Sequence, residues 1–125
     1  MTLNATSMKR LAGVHPDLVK VVVRAAALSE TPFVVAEGRR SLERQRQLVA
    51  AGASRTMNSR HLTGHAVDLA ALVDGKVRWD GPLYAKLADA MKQSAKALGV
   101  AIVWGGDWKS FRDGPHFELS RKHYP

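Results

Sequence analysis

Residues 59–75 read SRHLTGHAVDLAALVDG: a polar turn closed by Gly64, then an apolar run that carries one aspartate and stops at Asp-Gly. The run AVDLAAL has the length of a strand rather than a helix. Asp74-Gly75 predicts a two-residue hairpin leading into VRWD. Strand parity puts Ala66, Asp68 and Ala70 on one face and Val67, Leu69 and Ala71 on the other. Both faces are apolar apart from Asp68, so the strand belongs inside a sheet. A carboxylate there must be paired or bound to a metal, because isolating it costs on the order of several kcal/mol or forces protonation. The small alanines beside it leave room for a partner.

The remaining pattern fixes the company this strand keeps. Pro16-Asp17 starts a helix that carries Leu18, Val22, Ala25 and Ala26 at helical spacing and ends near Ser29. TPFVVAEG reads as a strand closed by Gly38. Ser41 caps SLERQRQLVAAG, which Gly52 ends. A polar loop over 53–60 follows. The clearest helix spans 82–98, with Leu83, Leu87, Met91 and Leu98 on one face and Gly99 as its stop. VAIVWG is a buried strand, GGDWKSFRDGP a glycine-rich loop, and HFEL a last strand. Strands joined by hairpins, with helices grouped apart, predict an α+β fold with an antiparallel sheet. At 125 residues the chain is expected to be one domain, 1–125.

Chemistry-bearing residues cluster at the ends of these strands. His61 and His65 are four apart, the spacing of a helical two-histidine zinc site. Leu62 stands where the general-base glutamate of that motif belongs, and Gly64 breaks any helix between them. Parity puts His65 on the face opposite Asp68, whereas His61 lies back in the loop, free to reach it. The preferred pair is therefore His61 and Asp68. His116 opens HFEL and offers a third ligand; three protein ligands with a fourth position open is the plan of a catalytic zinc site. Asp113, three residues earlier, is a carboxylate that such a site needs as a base. The residues alone leave open that Asp68 pairs with a core arginine, that His116 is a core histidine, and that Asp113-Gly114 is turn chemistry. His15 and His123 read as surface residues.

SRHLTGHAVDL resembles the Ser-x-His-x-x-Gly-x-Ala-x-Asp motif of the zinc peptidases that include D-Ala-D-Ala carboxypeptidases and phage L-alanyl-D-glutamate endopeptidases. DGPHFEL resembles that family's second motif, EGRRS its arginine segment, and WGGDW the segment before the last motif in the endopeptidase branch. The likeness runs from about Leu11 to Leu119. It implies a small α+β domain with a central antiparallel sheet flanked by helices, of the hedgehog and D-Ala-D-Ala peptidase type. It implies one Zn2+ on His61, Asp68 and His116, with Asp113 as general base. Arg40 would hold a substrate carboxylate or the developing oxyanion. Ser59, Asp107 and Trp108 would contact substrate, and His65 would stay outside the site. Glu118 is either a partner of a zinc-bound histidine or a plain surface carboxylate. The expected function is zinc-dependent cleavage of the L-Ala–D-Glu bond of peptidoglycan by a phage or prophage endolysin. The alternatives are a D-Ala-D-Ala carboxypeptidase and a non-catalytic binding domain that keeps the zinc fold.

Composition narrows the setting. There are no cysteines, so disulfides, thiolate ligands and a cysteine nucleophile are excluded. The formal net charge is +8, which suits an anionic partner. No zinc-finger spacing, basic zipper or RNA-binding aromatic signature accompanies it, so nucleic acid is not the expected partner. The expected partners are the peptidoglycan stem peptide and an anionic cell-wall or outer-membrane surface, met by a monomer. No apolar run approaches the length of a membrane span. The N-terminal MTLNATSMKRLAG lacks the apolar centre of a signal peptide, and no separate wall-binding domain is expected. Release from the host cytoplasm to the wall would then depend on a holin.

Overall fold

The computed structural model describes residues 1–54 and 56–125. Among these the order is α1 (Ala5–Arg10), α2 (Pro16–Leu28), β1 (Phe33–Glu37), α3 (Leu42–Ala50), β2 (Ala66–Val73), β3 (Lys76–Arg78), α4 (Gly81–Leu98), β4 (Ile102–Trp104) and β5 (His116–Leu119), with 3-10 turns at Arg60–Thr63 and Gly105–Asp107. The five strands form one antiparallel sheet in the order β1-β2-β5-β4, with β3 also pairing β2. This is the expected small α+β fold.

The apolar run with its one aspartate, β2, is the central strand. It pairs β1 along one edge; the other edge is shared by β5, over 66–68, and β3, over 71–73. The hairpin to β3 turns through Asp74 (φ 53°) and Gly75 (φ 76°), the double positive φ that such a turn demands. Val67, Leu69, Phe117 and Leu119 join Phe33, Val35 and the buried sides of α2 and α4 in one apolar cluster. The two helices are also tied by Ser94 Oγ donating to Val21 O at 2.7 Å. Burial of each large apolar side chain in this layer contributes about 1.5–3 kcal/mol.

Three details differ from expectation. The chain forms an additional helix, α1. Its first turn is capped by Asn4 Oδ1, which accepts from Ser7 N at 2.7 Å, the usual service of an asparagine at that position. Leu98 is 40% exposed, and the buried face of α4 is completed by Tyr84, Ala88 and Ala95. β4 is only half-buried, because it is the edge strand of the sheet.

Candidate metal centre

Antiparallel register assembles the site. Asp68 on β2 lies opposite Glu37 on β1 and opposite His116 on β5, and Ala66 lies opposite Glu118. One row across three strands therefore carries Glu37, Asp68 and His116 on the face away from the apolar core. His61 arrives from the 3-10 turn Arg60–Thr63, whose N-cap Ser59 accepts from His61 N at 3.2 Å. Gly64 closes that turn in the left-handed region, φ 76°, and the chain then enters β2.

Each histidine has one ring nitrogen committed and one turned to Asp68. His61 Nδ1 donates to Gly38 O at 2.8 Å. A carbonyl can only accept, so His61 Nε2 carries the lone pair. His61 Nε2 is buried without a hydrogen-bond partner and lies 3.3 Å from Asp68 Oδ1. His116 Nε2 donates to Glu118 Oε1 at 2.8 Å, which leaves Nδ1 3.2 Å from the same Asp68 oxygen. The donor atoms of His61, Asp68 and His116 all lie within 4.8 Å of one another. Donors on a tetrahedral zinc at about 2.0–2.1 Å are about 3.3 Å apart, close to the two shorter separations. An unpartnered buried nitrogen, two histidines each with one ring nitrogen committed elsewhere and the other turned to Asp68, and one carboxylate are a donor set that fits zinc.

The metal-free cluster is strongly polarised. Burial pushes the Asp68 carboxyl up, but the hydrogen bond with His116 and the closeness of the His61 ring outweigh it and hold the group far below the usual carboxylate range. Burial pushes His116 down, while Asp68 and Glu118 outweigh that and raise it to about 9. A cation is thus already favoured where the ligands converge.

Around the cluster an open cleft of roughly 1360 Å³ is lined by Glu37, Arg40, Ser59, Trp108 and Asp113, among others. Asp113 is held by its backbone: its N–H donates to Gly105 O at 3.0 Å, and its own carbonyl accepts from His116 N at 3.1 Å. A side chain at Gly105 would collide with the Asp113 carbonyl and crowd His116 Cβ, so the loop needs glycine there for close approach. Burial and the neighbouring Asp68 raise the Asp113 pKa, against the pull of His116, His61 and Arg40. Trp108 packs its ring 5.2 Å from that of His116.

One expected substrate contact is placed differently. Asp107 is not among the cleft-lining residues; its carboxylate pairs with Lys92 of α4 at 2.8 Å. Arg40 lines the cleft with most of its donors engaged by protein partners. Its Nε and Nη2 grip Glu37 at 2.8 and 2.6 Å, and its Nη1 donates to Gln45 Oε1 at 2.6 Å and Ser59 Oγ at 3.5 Å. Nη2 carries one further N–H. That nitrogen lies 3.8 Å from Asp68 Oδ2. Glu37, opposite Asp68 in the register, and the fully buried Gln45 were not singled out in the sequence; the strand register would have pointed to the first. His65 lies apart, its Nδ1 2.7 Å from Thr63 Oγ1 and its ring 5.6 Å from that of His15.

A sheet row of acid and histidine, a loop histidine and a further carboxylate, Asp113, beside an open cleft define a zinc metallopeptidase. Residues 1–123 match the family model described as phage L-alanyl-D-glutamate peptidase, and the chain belongs to that family. It is 36% identical over 122 residues to the L-alanyl-D-glutamate peptidase of Escherichia phage T5, covering 94% of this chain and 88% of the relative. The crystal structure of the Serratia marcescens L-Ala D-Glu endopeptidase ChiX superposes with a TM-score of 0.95 at 49% identity, covering 100% of this chain and 94% of that one. The vancomycin-resistance D,D-dipeptidase VanXYg shares the fold alone, with a TM-score of 0.56 at 20% identity, over 85% of this chain and 50% of that one.

Proposed function

We infer that the protein is a zinc-dependent endopeptidase that hydrolyses the L-Ala–D-Glu bond of the peptidoglycan stem peptide. The observation that carries this reading is the unpartnered His61 Nε2 facing Asp68 and His116, in a cleft that also holds Asp113, within a chain of this family. Zinc, when bound, supplies Lewis acidity, which polarises a carbonyl and makes water acidic enough to attack at neutral pH. The chain's own residues do the rest. Asp113, with its raised pKa, takes a proton from the attacking water and passes it to the leaving amine as the C–N bond breaks. Gly38 O and Glu118 fix the tautomers of His61 and His116. Arg40 steadies Asp68 and balances the negative charge of the cleft floor. Trp108 and Ser59 line the path of the peptide.

The setting we propose is bacteriolysis by a phage or prophage, with the enzyme reaching the wall from the host cytoplasm by way of a holin. The +8 charge supports attachment to an anionic wall or outer-membrane surface. Product analysis on purified stem peptides tests the reaction. A new D-Glu N-terminus, lost on chelation and restored by zinc, is the expected result; free D-Ala would instead identify a carboxypeptidase.

A further inference from the structure

Gln45 sits on α3, flanked in sequence by Glu43, Arg44, Arg46 and Gln47, yet it is 0% exposed. Its buried amide is fully used. Oε1 accepts from Arg40 Nη1 at 2.6 Å, while Nε2 donates to Ser54 Oγ at 2.8 Å and to Thr56 O at 2.6 Å. The cation on one side and the carbonyl on the other fix which end of the amide faces which partner. Ser54 and Thr56 line the wall of the cleft, and Arg40 lies at its floor beside Asp68. A single side chain thus spans from the cleft wall to the guanidinium next to the metal-ligand carboxylate.

We propose that Gln45 is a positioning residue for peptide hydrolysis. It sets the cleft wall and the metal floor relative to one another, acting on the substrate groove through Ser54 and Thr56 and on Asp68 through Arg40. The proposal rests on the reading of the cleft as the hydrolytic site. The physical reason is that Arg40 has its outer edge held by Glu37 and depends on Gln45 and Ser59 for the orientation of Nη1. Released from Gln45, the guanidinium can pivot about the Glu37 fork, and the wall segment loses its two side-chain bonds to α3, keeping the backbone bonds from Ala53 and Ser54 N–H to Leu48 O. Groups that contact a ligand directly, as Arg40 does Asp68, typically change metal affinity or activity by about 10–100-fold; Gln45 acts one step further out, through Arg40, so its effect should lie at the low end of that range.

Two variants separate the two arms. Gln45→Met keeps the volume and removes both arms; Gln45→Glu keeps an acceptor for Arg40 but offers no N–H to Ser54 or Thr56. The measurements are amide hydrogen exchange at Ser54 and Thr56, zinc content, and kcat and KM on a soluble stem peptide below the melting temperature of each variant. For Gln45→Met we expect about tenfold faster exchange at those amides, a KM raised about tenfold, a kcat lowered about tenfold and zinc still bound at about one per chain. For Gln45→Glu we expect the same exchange and KM, with kcat largely restored. A Gln45→Met protein that is folded, with wild-type exchange, kcat and KM, overturns the proposal. So does one whose melting temperature alone falls, since that is the mark of a purely structural amide. If the glutamate variant does not fold, the methionine variant decides alone. If the wild-type enzyme itself leaves the L-Ala–D-Glu bond intact, the assigned reaction fails, while exchange at Ser54 and Thr56 still reports whether Gln45 holds the cleft wall.

Discussion

Two pairs of histidines lie in this small protein, and only one of them is built to hold a metal. The rings of His61 and His116 are 5.1 Å apart, and those of His15 and His65 are 5.6 Å apart. Distance does not separate the pairs; the surroundings do. In the first, Gly38 O and Glu118 each occupy one ring nitrogen, and Asp68 gathers the other two. In the second, His15 Nδ1 accepts from Asp17 N as the cap of α2, and His65 Nδ1 is engaged by Thr63 Oγ1. Among the described residues, His61, Asp68 and His116 are the one group of three such side chains able to hold an ion. A shared anion and fixed tautomers make a site out of two nearby rings.

The largest effect should come from exchanging the fates of the two pairs. His61→Ala is expected to drop zinc from about one per chain to near zero, because two remaining donors do not make a closed set, and to abolish hydrolysis with it. His65→Ala should leave both unchanged. Elemental analysis and a stem-peptide assay on the two variants check this, and loss of zinc in the His65 variant would erase the distinction.

Asp113→Asn asks whether the cleft needs its charge when every proposed ligand is intact. Zinc and fold should be retained and the rate should fall by about 10²–10⁴-fold, the contribution of a positioned base. Loss of zinc in this variant would make Asp113 a ligand. Wild-type activity would send the search for the base elsewhere in the cleft.

The ligand pair should also leave a signature in the metal-free protein. The His116 pKa is raised from 6.5 to about 9 in the folded state. The stability that this protonation supplies is fully present below the unfolded value and is lost as pH rises through the folded one. The shift is worth on the order of 3 kcal/mol. Chelated protein should therefore melt at lower temperature near pH 9.5 than near pH 6.5, and His116→Gln should flatten that dependence. A wild-type melting temperature that is flat across this window would argue against the Asp68–His116 contact. Glu118→Gln is a milder disturbance, since an amide oxygen still accepts from His116 Nε2 without the charge. Zinc affinity should fall by about 10–100-fold, measured by competition with a chelating dye.

Much of this was legible in the sequence because it depends on local spacing. Parity within AVDLAAL separates Asp68 from its neighbours, Gly64 bars a helical histidine pair, and Asp74-Gly75 sets the hairpin. What escaped depends on residues that meet only in the folded chain. Gln45 belongs to the polar run LERQRQLVA and reads as surface until Arg40 and Thr56 close over it. The resemblance gives Arg40 a substrate role but says nothing of Glu37, three residues earlier, which takes its fork in the folded chain. Asp107 has a sequence neighbourhood suited to the cleft, yet Lys92, fifteen positions back on α4, draws it outward. The helix α1 had one signal, Asn4 as its cap, in a stretch whose other residues gave no periodicity to support it.

The smallest expected effect is the one that gives the two pairs opposite signs. Burial, Arg60 and His15 together lower the His65 pKa from 6.5, against a hydrogen bond involving Thr63. Between that lowered value and the unfolded one, the unfolded chain binds more protons than the folded one. Stability from this residue is therefore present above the unfolded value and is lost as pH falls through the folded one. His116 in the metal-free protein does the reverse, holding its stability at low pH and losing it at high pH. His65 is only partly buried, so solvent screening keeps its contribution modest. The readout is the melting temperature of zinc-loaded protein between about pH 5 and 7, where the metal removes His116 from the titration. His65→Gln keeps polar size and cannot take up the proton. It should melt with a shallower fall toward the acid end than the wild type, and with little difference at neutral pH. An equal fall in both would mean that the acid sensitivity belongs to the ligand set, where protons compete with zinc for His61 and His116, and that the second pair plays no part in it.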